Sequence, residues 1–339
     1  MLDPIPQSPT YHLHNLPVQM TSLIGREEEI AAASTLCQRA DIRLLTLTGP
    51  GGSGKTRLAL AVATKLLPEF SDGVFFVSLA PLREATLVLS SIAQALLIEE
   101  GTGQPLARQL QAALQKRHLL LVLDNFEQVL AAGPLIADLL AAAPYLKIIA
   151  TSREVLHLYG EHEFVVKPLE LPDRSSLPGL ETVAQSAAVA LFVERARAVK
   201  TTFALTHENM PAIVEICMRL DGLPLAIELA AARVKLLTPQ EILSRLANRL
   251  KLLTGGAQNL PARQRTLRNT LDWSYDLLNE NEKRFFRHLS VFVGTWTLAA
   301  TQTIGMCEGE EEDVLDLLTS LVDKSLVQAV EDVSGETRF

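Results

Sequence analysis

Residues 49–56 read Gly49-Pro50-Gly51-Gly52-Ser53-Gly54-Lys55-Thr56, a match without exception to G-x-x-x-x-G-K-[ST]. The chemistry open to these residues at this spacing is the holding of a polyphosphate. Glycines let the backbone bend so that successive N–H groups point inward at phosphate oxygens. A helix beginning at the end of the loop adds partial positive charge. Lys55 would reach the β- and γ-phosphates, and Thr56 would place its hydroxyl on Mg²⁺. Gly49, Gly51, Gly52, Ser53, Gly54, Lys55, Thr56 and the next residue, Arg57, are therefore candidate nucleotide-binding residues. A flexible Gly/Ser loop would need none of the flanking pattern, and that pattern is present.

Those residues need elements to position them. Leu44-Leu45-Thr46-Leu47-Thr48 is short, apolar and β-prone, and Arg57 to Leu67 has helical spacing with many alanines. Strand, glycine loop and helix together predict a phosphate-binding loop (P-loop) for a nucleoside triphosphate. Gly73–Leu79 reads as a buried strand, and Glu84–Leu97 and Pro105–Gln115 read as helices. His118-Leu119-Leu120-Leu121-Val122-Leu123-Asp124 is a continuous apolar run ending in an acid, the mark of a parallel strand buried on both faces. Open α/β sheets bind ligands at that carboxyl edge, so Asp124 is expected to serve Mg²⁺, directly or through water, opposite Thr56. A second such run, Lys147-Ile148-Ile149-Ala150-Thr151-Ser152-Arg153, brings Arg153 to the same edge. There it either reads the γ-phosphate or caps the sheet at the surface. Alternation of strands and helices over 43–170 predicts an α/β fold with a doubly wound parallel sheet.

The remainder changes character. Residues 1–20 carry Pro4, Pro6, Pro9 and Pro17 and read as an arm on the surface. Leu23-Ile24-Gly25-Arg26 leads, with Thr21 or Ser22 as a cap, into a helix with an acidic first turn running to about Arg39. Residues 171–183 read as a linker. Ala184–Lys200, Glu208–Leu220, Pro224–Lys235 and Pro239–Arg249 carry helical apolar stripes. Asp221-Gly222-Leu223-Pro224 separates two of them, and Pro224 is either a helix boundary or a flat surface for a nucleobase. Helices at Arg263–Leu278, Asn281–His288 and Glu310–Leu321 then precede a strand at Ser325–Val330 and a second one started at Glu336. That order suggests a winged helix, and a chain that stops within a hairpin looks cut from something longer.

Composition narrows the function classes. Of 339 residues 48% are hydrophobic but only 5% aromatic, so aliphatic side chains and alanine must fill the core. The formal net charge of −8 argues against whole-protein affinity for nucleic acid or anionic membrane. Arg245, Arg249, Lys251, Arg263, Arg265 and Arg268 form a basic stretch that contacts phosphates or an acidic neighbour, or is a solvated face. Cys37, Cys217 and Cys307 lie far apart and read as buried thiols in a reducing compartment. No apolar run approaches a bilayer span and no signal peptide opens the chain, so a cytoplasmic, soluble protein is expected.

Taken together, Leu23-Ile24-Gly25-Arg26-Glu27, the P-loop, Leu120–Glu127, Thr151-Ser152-Arg153, Gly222-Leu223-Pro224-Leu225-Ala226, Arg263–Leu267 and Trp273-Ser274-Tyr275 resemble the STAND class of P-loop NTPases. More narrowly they look like the AP-ATPase (NB-ARC-like) module of bacterial multidomain LuxR/SARP-type regulators, relatives of plant disease-resistance proteins and apoptosome ATPases. The resemblance implies a nucleotide-binding domain (21–170), an all-helical lid (184–255) and a winged-helix domain (256–339). It implies that Ile24 and Arg26 border an adenine, that Arg153 is the sensor arginine and that Pro224 packs on the base. The implied cofactors are ATP or ADP with Mg²⁺, with a monomer when ADP is bound and self-association when ATP is bound. Two departures stand out. Asn125 follows Asp124 where efficient ATPases place a second acid, which leaves Glu127 as the substitute base and predicts slow turnover. The winged-helix histidine that meets the ADP β-phosphate would fall at or past Phe339. A switch is thus the leading expectation, and a cycling motor or a winged-helix DNA binder are the alternatives. Against DNA binding, the winged-helix helix Glu310–Leu321 is acidic.

Overall fold

The computed structural model describes residues 13–99, 101, 103–172, 179–246, 272, 275–305, 314–324, 326–327, 329–331 and 336–339. The chain divides into two compact units, Met1–Thr48 with Thr56–Phe164, and Gly49–Lys55 with Val165–Phe339.

In the first unit, Leu44–Thr48 (β1) and Leu120–Asp124 (β3) have every side chain buried, as a strand covered on both faces requires. With Val74–Ser78 (β2), Lys147–Thr151 (β4) and Glu161–Val165 (β5) they form one sheet in the order β2-β3-β4-β1-β5. The pairs β1–β4, β4–β3 and β3–β2 are parallel, with Leu45 opposite Ile149, Leu121 opposite Ile148 and Phe76 opposite Val122. Parallel neighbours need crossover helices. These are Lys55–Leu66 (α2), Leu87–Ala95 (α3), Leu106–Leu114 (α4) and Gly133–Ala142 (α5), with Glu27–Gln38 (α1) ahead of β1. Val88, Ile92, Leu110, Leu114, Ile136 and Leu139 carry the helices onto Leu121, Leu123 and Ile148 in one apolar core. The parallel α/β sheet expected from the sequence is found. Strand β5 was not anticipated, because Glu-His-Glu-Phe-Val is polar and only partly buried.

The β2 edge of the sheet is covered by the part of the arm that is described. Leu13 offers its carbonyl to Val74 N–H at 3.0 Å, and His14 makes a parallel bridge to Val74. The Asn15 side chain continues the ladder, donating to Phe76 O at 2.9 Å and accepting from Phe76 N at 2.6 Å. Gly73 has φ +102°, and a Cβ there would sit 2.4 Å from Leu13 O. A covered edge offers no row of free backbone groups to other chains.

The second unit is mainly helical: Leu180–Gln185 (α6), Ala187–Val199 (α7), Met210–Arg219 (α8), Pro224–Ala231 (α9) and Pro239–Arg245 (α10). Helix α7 packs on α9, and α8 on α10. The single helix expected over Ala184–Lys200 is broken at Ser186, which turns extended (ψ 128°) and bonds Glu170 O through its hydroxyl at 3.0 Å. Helix α8 stops in a Schellman arrangement, with Asp221 at φ +52°, Asp221 N–H on Met218 O and Gly222 N–H on Cys217 O.

Further along this unit, the described residues form Glu280–Leu289 (α11), Leu298–Gly305 (α12), Val314–Asp323 (α13) and an antiparallel pair, Val330–Glu331 (β6) with Thr337–Arg338 (β7). Phe285, Leu289, Leu318, Leu321 and Val327 form their core. Of the strand expected at Ser325–Val330, the described residues place only Val330 in a strand. Leu326 and Val327 N–H both return to Leu321 O, a turn off the helix end that buries Val327 in the core. The expected helix over 263–278 lies largely outside the described residues, as do Arg249, Lys251, Arg263, Arg265, Arg268, Cys307, residues 173–178 of the linker and residues 1–12 of the arm. Burial pushes the thiols of Cys37 and Cys217 up to about 12, which keeps them protonated and unreactive. Among the described residues no helix is long and apolar enough to cross a membrane.

Candidate functional site

Strands β3 and β4 are neighbours that end together, so Asp124, Asn125, Thr151 and Arg153 gather at one edge. Asp124 is buried, and its Oδ1 accepts the Thr56 hydroxyl at 2.6 Å and the Thr151 hydroxyl at 2.7 Å. Thr151 Oγ1 in turn accepts the Asn125 N–H at 3.0 Å. Asn125 itself is left-handed, with φ +64°. Arg153 is 4% exposed, so it does not cap the sheet at the surface. It pairs with Glu127, Nε to Oε1 at 3.6 Å, and the Asn125 amide reaches the same oxygen at 3.3 Å. Glu127 Oε2 is buried and has no hydrogen-bond partner among the described residues. The structure thus brings Thr56, Asp124, Glu127 and Arg153 into one network. A hydroxyl and a carboxylate oxygen within hydrogen-bonding reach are hard donors of the kind Mg²⁺ takes. Thr151 was not among the expected site residues, because its place beside Asp124 follows from the register of β3 against β4.

In the same unit the Arg57 guanidinium donates to Thr21 O (2.8 Å) and Ser22 O (2.8 Å). Thr21 and Ser22 therefore do not cap α1, whose N-cap position is Arg26 with no side-chain cap. Arg57 instead holds the segment leading to Ile24 and Arg26 against the first turn of α2. Arg26 is buried and ion-paired with Glu29 at 2.5 Å, and Ile24 is half-buried.

The loop itself belongs to the second unit. Gly49, Gly52 and Gly54 have φ of +137°, +85° and +97°, a region open to glycine and costly to other residues. A Cβ on Gly49 would come 2.6 Å from Val166 O, and one on Gly52 would come 2.9 Å from Leu225 Cβ. These are the features of a cradle built for close approach to backbone. Lys55 Nζ donates to Gly49 O at 2.6 Å and Pro50 O at 3.1 Å, which holds the ammonium over its own loop. Gly52 O accepts the N–H of Leu225 at 3.2 Å. Leu225 stands in the first turn of α9, just after Pro224, which has no N–H to offer. The loop and the Gly222–Ala226 motif are therefore bonded backbone to backbone.

Residues 39–158 match a family model described as AAA domain. Two curated relatives from Mycobacterium tuberculosis (strain ATCC 25618 / H37Rv) are similar over most of the chain. "Uncharacterized protein Rv0894" is 36% identical over 329 residues, which are 96% of this chain and 80% of that protein. The chain belongs to the family of that protein. "Putative HTH-type transcriptional regulator Rv0890c" is 42% identical over 304 residues, 88% of this chain but 32% of its own length. The chain thus spans about a third of that longer relative. Among solved structures, the ORC2 protein of Aeropyrum pernix (ADPNP-ADP complexes) is 13% identical with a TM-score of 0.50, covering 92% of this chain and 89% of its own. At that identity the likeness concerns the fold alone. With the loop, the parallel sheet and the matched model together, residues 39–158 form an AAA-type P-loop ATPase fold.

Proposed function

We propose that this chain is a nucleotide-operated switch of the STAND class, an NB-ARC-like module that binds ADP or ATP with Mg²⁺ and hydrolyses ATP slowly. The observation that supports it most is the bond from Leu225 N–H to Gly52 O. A loop shaped for phosphates is tied directly to the start of a helix in the Gly-Leu-Pro-Leu-Ala motif. A ligand that reshapes the loop therefore acts on the helical unit at its backbone. In this reading Lys55 and the loop glycines hold the phosphates, and Thr56 and Asp124 hold Mg²⁺. Arg153 senses the γ-phosphate, and Glu127 orients the attacking water. Ile24, Arg26 and Pro224 border the adenine. Bound Mg²⁺ supplies charge neutralisation at the phosphates.

Residues 184–255 act as the lid. Among the described residues, three helices and a short antiparallel strand pair support assigning 256–339 to a winged helix. Relatives named as transcriptional regulators support an output in gene control, delivered by segments beyond this stretch and set by self-association in the ATP state. A cycling motor is less well supported, since Asn125 occupies the place of a second acid and cannot serve as a base.

The test is to purify the protein without added nucleotide, denature it and identify what is released by chromatography. Stoichiometric ADP is the expected result. An empty site with rapid multiple-turnover hydrolysis would overturn the switch reading in favour of the motor.

A further inference from the structure

We infer that Thr151 is a positioning residue for the metal site, an inference that rests on reading Thr56 and Asp124 as the Mg²⁺-binding pair. Thr151 is 1% exposed. A hydroxyl has one proton and two lone pairs. Here the lone-pair side takes the Asn125 N–H at 3.0 Å, which commits the proton to Asp124 Oδ1 at 2.7 Å. Both bonds run from the end of β4 to the end of β3, so one side chain fixes the carboxylate and the turn that follows it.

The turn needs fixing. A non-glycine residue at φ +64° is uncommon and persists only where its surroundings hold it. The carboxylate needs fixing as well. Thr56 reaches the same Oδ1 at 2.6 Å. When the Thr56 hydroxyl offers a lone pair to a cation, its proton still requires an acceptor, and Asp124 Oδ1 is the acceptor in place. Thr151 keeps that oxygen aimed at Thr56. Without the hydroxyl, the Asp124 carboxylate turns more freely about χ2, and a buried N–H at Asn125 loses its acceptor. Thr151 touches neither nucleotide nor metal in this account and acts through Asp124. Residues that orient metal ligands in this way typically control affinity by 10- to 100-fold.

The experiment is a Mg²⁺ titration of fluorescent ADP and ATP binding to the full chain, run also in EDTA. Wild type, Thr151→Val and Thr151→Ser are compared, with melting curves for each. Valine keeps the shape and removes the hydroxyl, and serine keeps the hydroxyl. The expected result is that Thr151→Val raises the half-saturating Mg²⁺ concentration about tenfold or more. Nucleotide affinity in EDTA should stay within about twofold, and Thr151→Ser should follow the wild type. A Thr151→Val protein with wild-type Mg²⁺ dependence overturns the inference. So does one that loses affinity equally with and without Mg²⁺, since that is a purely structural role. If valine prevents folding, Thr151→Ala carries the same comparison against Thr151→Ser. A wild-type protein whose nucleotide binding ignores Mg²⁺ overturns the metal reading itself, a result distinct from either failure of Thr151.

Discussion

Two buried glutamates, one in each unit, meet the same electrostatic problem to different degrees. Glu282 opens α11 and is satisfied at both oxygens. Its Oε1 takes the Ser320 hydroxyl at 2.5 Å and the Lys324 ammonium, while Oε2 takes the Asn279 N–H at 2.9 Å. Glu127 is equally buried, yet its Oε1 has only a 3.3 Å amide contact and a 3.6 Å guanidinium, and its Oε2 has no partner among the described residues. Burying a carboxylate is costly unless its oxygens are bonded. The fully bonded acid is a pin between α11 and α13. The under-bonded one, three residues after Asp124, has an oxygen left over for the water that the proposed mechanism gives it. The difference between them separates structure from chemistry better than burial does.

The largest effect is expected where that difference is tested directly. Glu127→Gln should slow single-turnover ATP hydrolysis by about 10³-fold, the middle of the range for a positioned acid or base, while nucleotide stays bound and the melting temperature barely moves. Unchanged hydrolysis, or a loss of stability as large as that of a Glu282 variant, would erase the distinction.

Glu282→Ala should do the opposite. It strands the Lys324 ammonium against α11, and removing one partner of such a pair costs about 3 kcal/mol. Denaturation should report this loss while nucleotide binding remains. The pH dependence carries a sign. Burial raises the Glu282 carboxyl, but the bonds from Lys324, Ser320 and the Asn279 backbone outweigh it, leaving its pKa below the ordinary value. A depressed carboxylate contributes stability that is full above its unfolded pKa, near 4.3, and is lost as pH falls through the folded value. Wild type should therefore lose stability below about pH 4.3 more steeply than Glu282→Gln. Parallel curves would mean that the pair contributes nothing.

How much of this was legible depends on what each residue answers to. Leu120–Asp124 could be read because a strand buried on both faces leaves a continuous apolar run, and Gly49–Thr56 because phosphate binding restricts nearly every position. Asp221-Gly222 and Pro224 announced a helix end and a helix start on stereochemical grounds. Thr151 could not be ranked above other threonines, since its importance comes from the register of β3 against β4. The pairing of Glu127 with Arg153 depends on the left-handed turn at Asn125, which nothing local demands. Strand β5 stayed hidden because an edge strand with polar residues has no strong period. The tie between Gly52 and Leu225 joins residues 173 positions apart, and no local pattern encodes such a contact.

Gly52→Ala probes that tie at an intermediate magnitude. The substitution meets φ +85° and a Leu225 Cβ at 2.9 Å, so about 2 kcal/mol of strain falls on the loop. Nucleotide retention should weaken by more than tenfold, with the Glu282 pin untouched. Retention at the wild-type level would show that loop and α9 are not coupled through this contact.

The smallest effects should come from helices that start without the loop's help. Helix α9 has no side-chain cap, and one of its first N–H groups goes to Gly52 O. Helices α10 and α11 each begin with a full capping box, Thr238 with Glu241 and Asn279 with Glu282. Such caps satisfy orphan N–H groups locally. Thr238→Ala should cost about 1 kcal/mol of stability and leave nucleotide binding as it was. Asn279→Ala should cost a similar amount, because its side chain holds the Glu282 backbone N–H at 2.8 Å as Thr238 holds that of Glu241 at 3.2 Å. If Thr238→Ala weakened nucleotide retention as much as Gly52→Ala, coupling would run through the helical unit as a whole. The start of α9 would then lose its claim to be the point where the phosphate loop is felt.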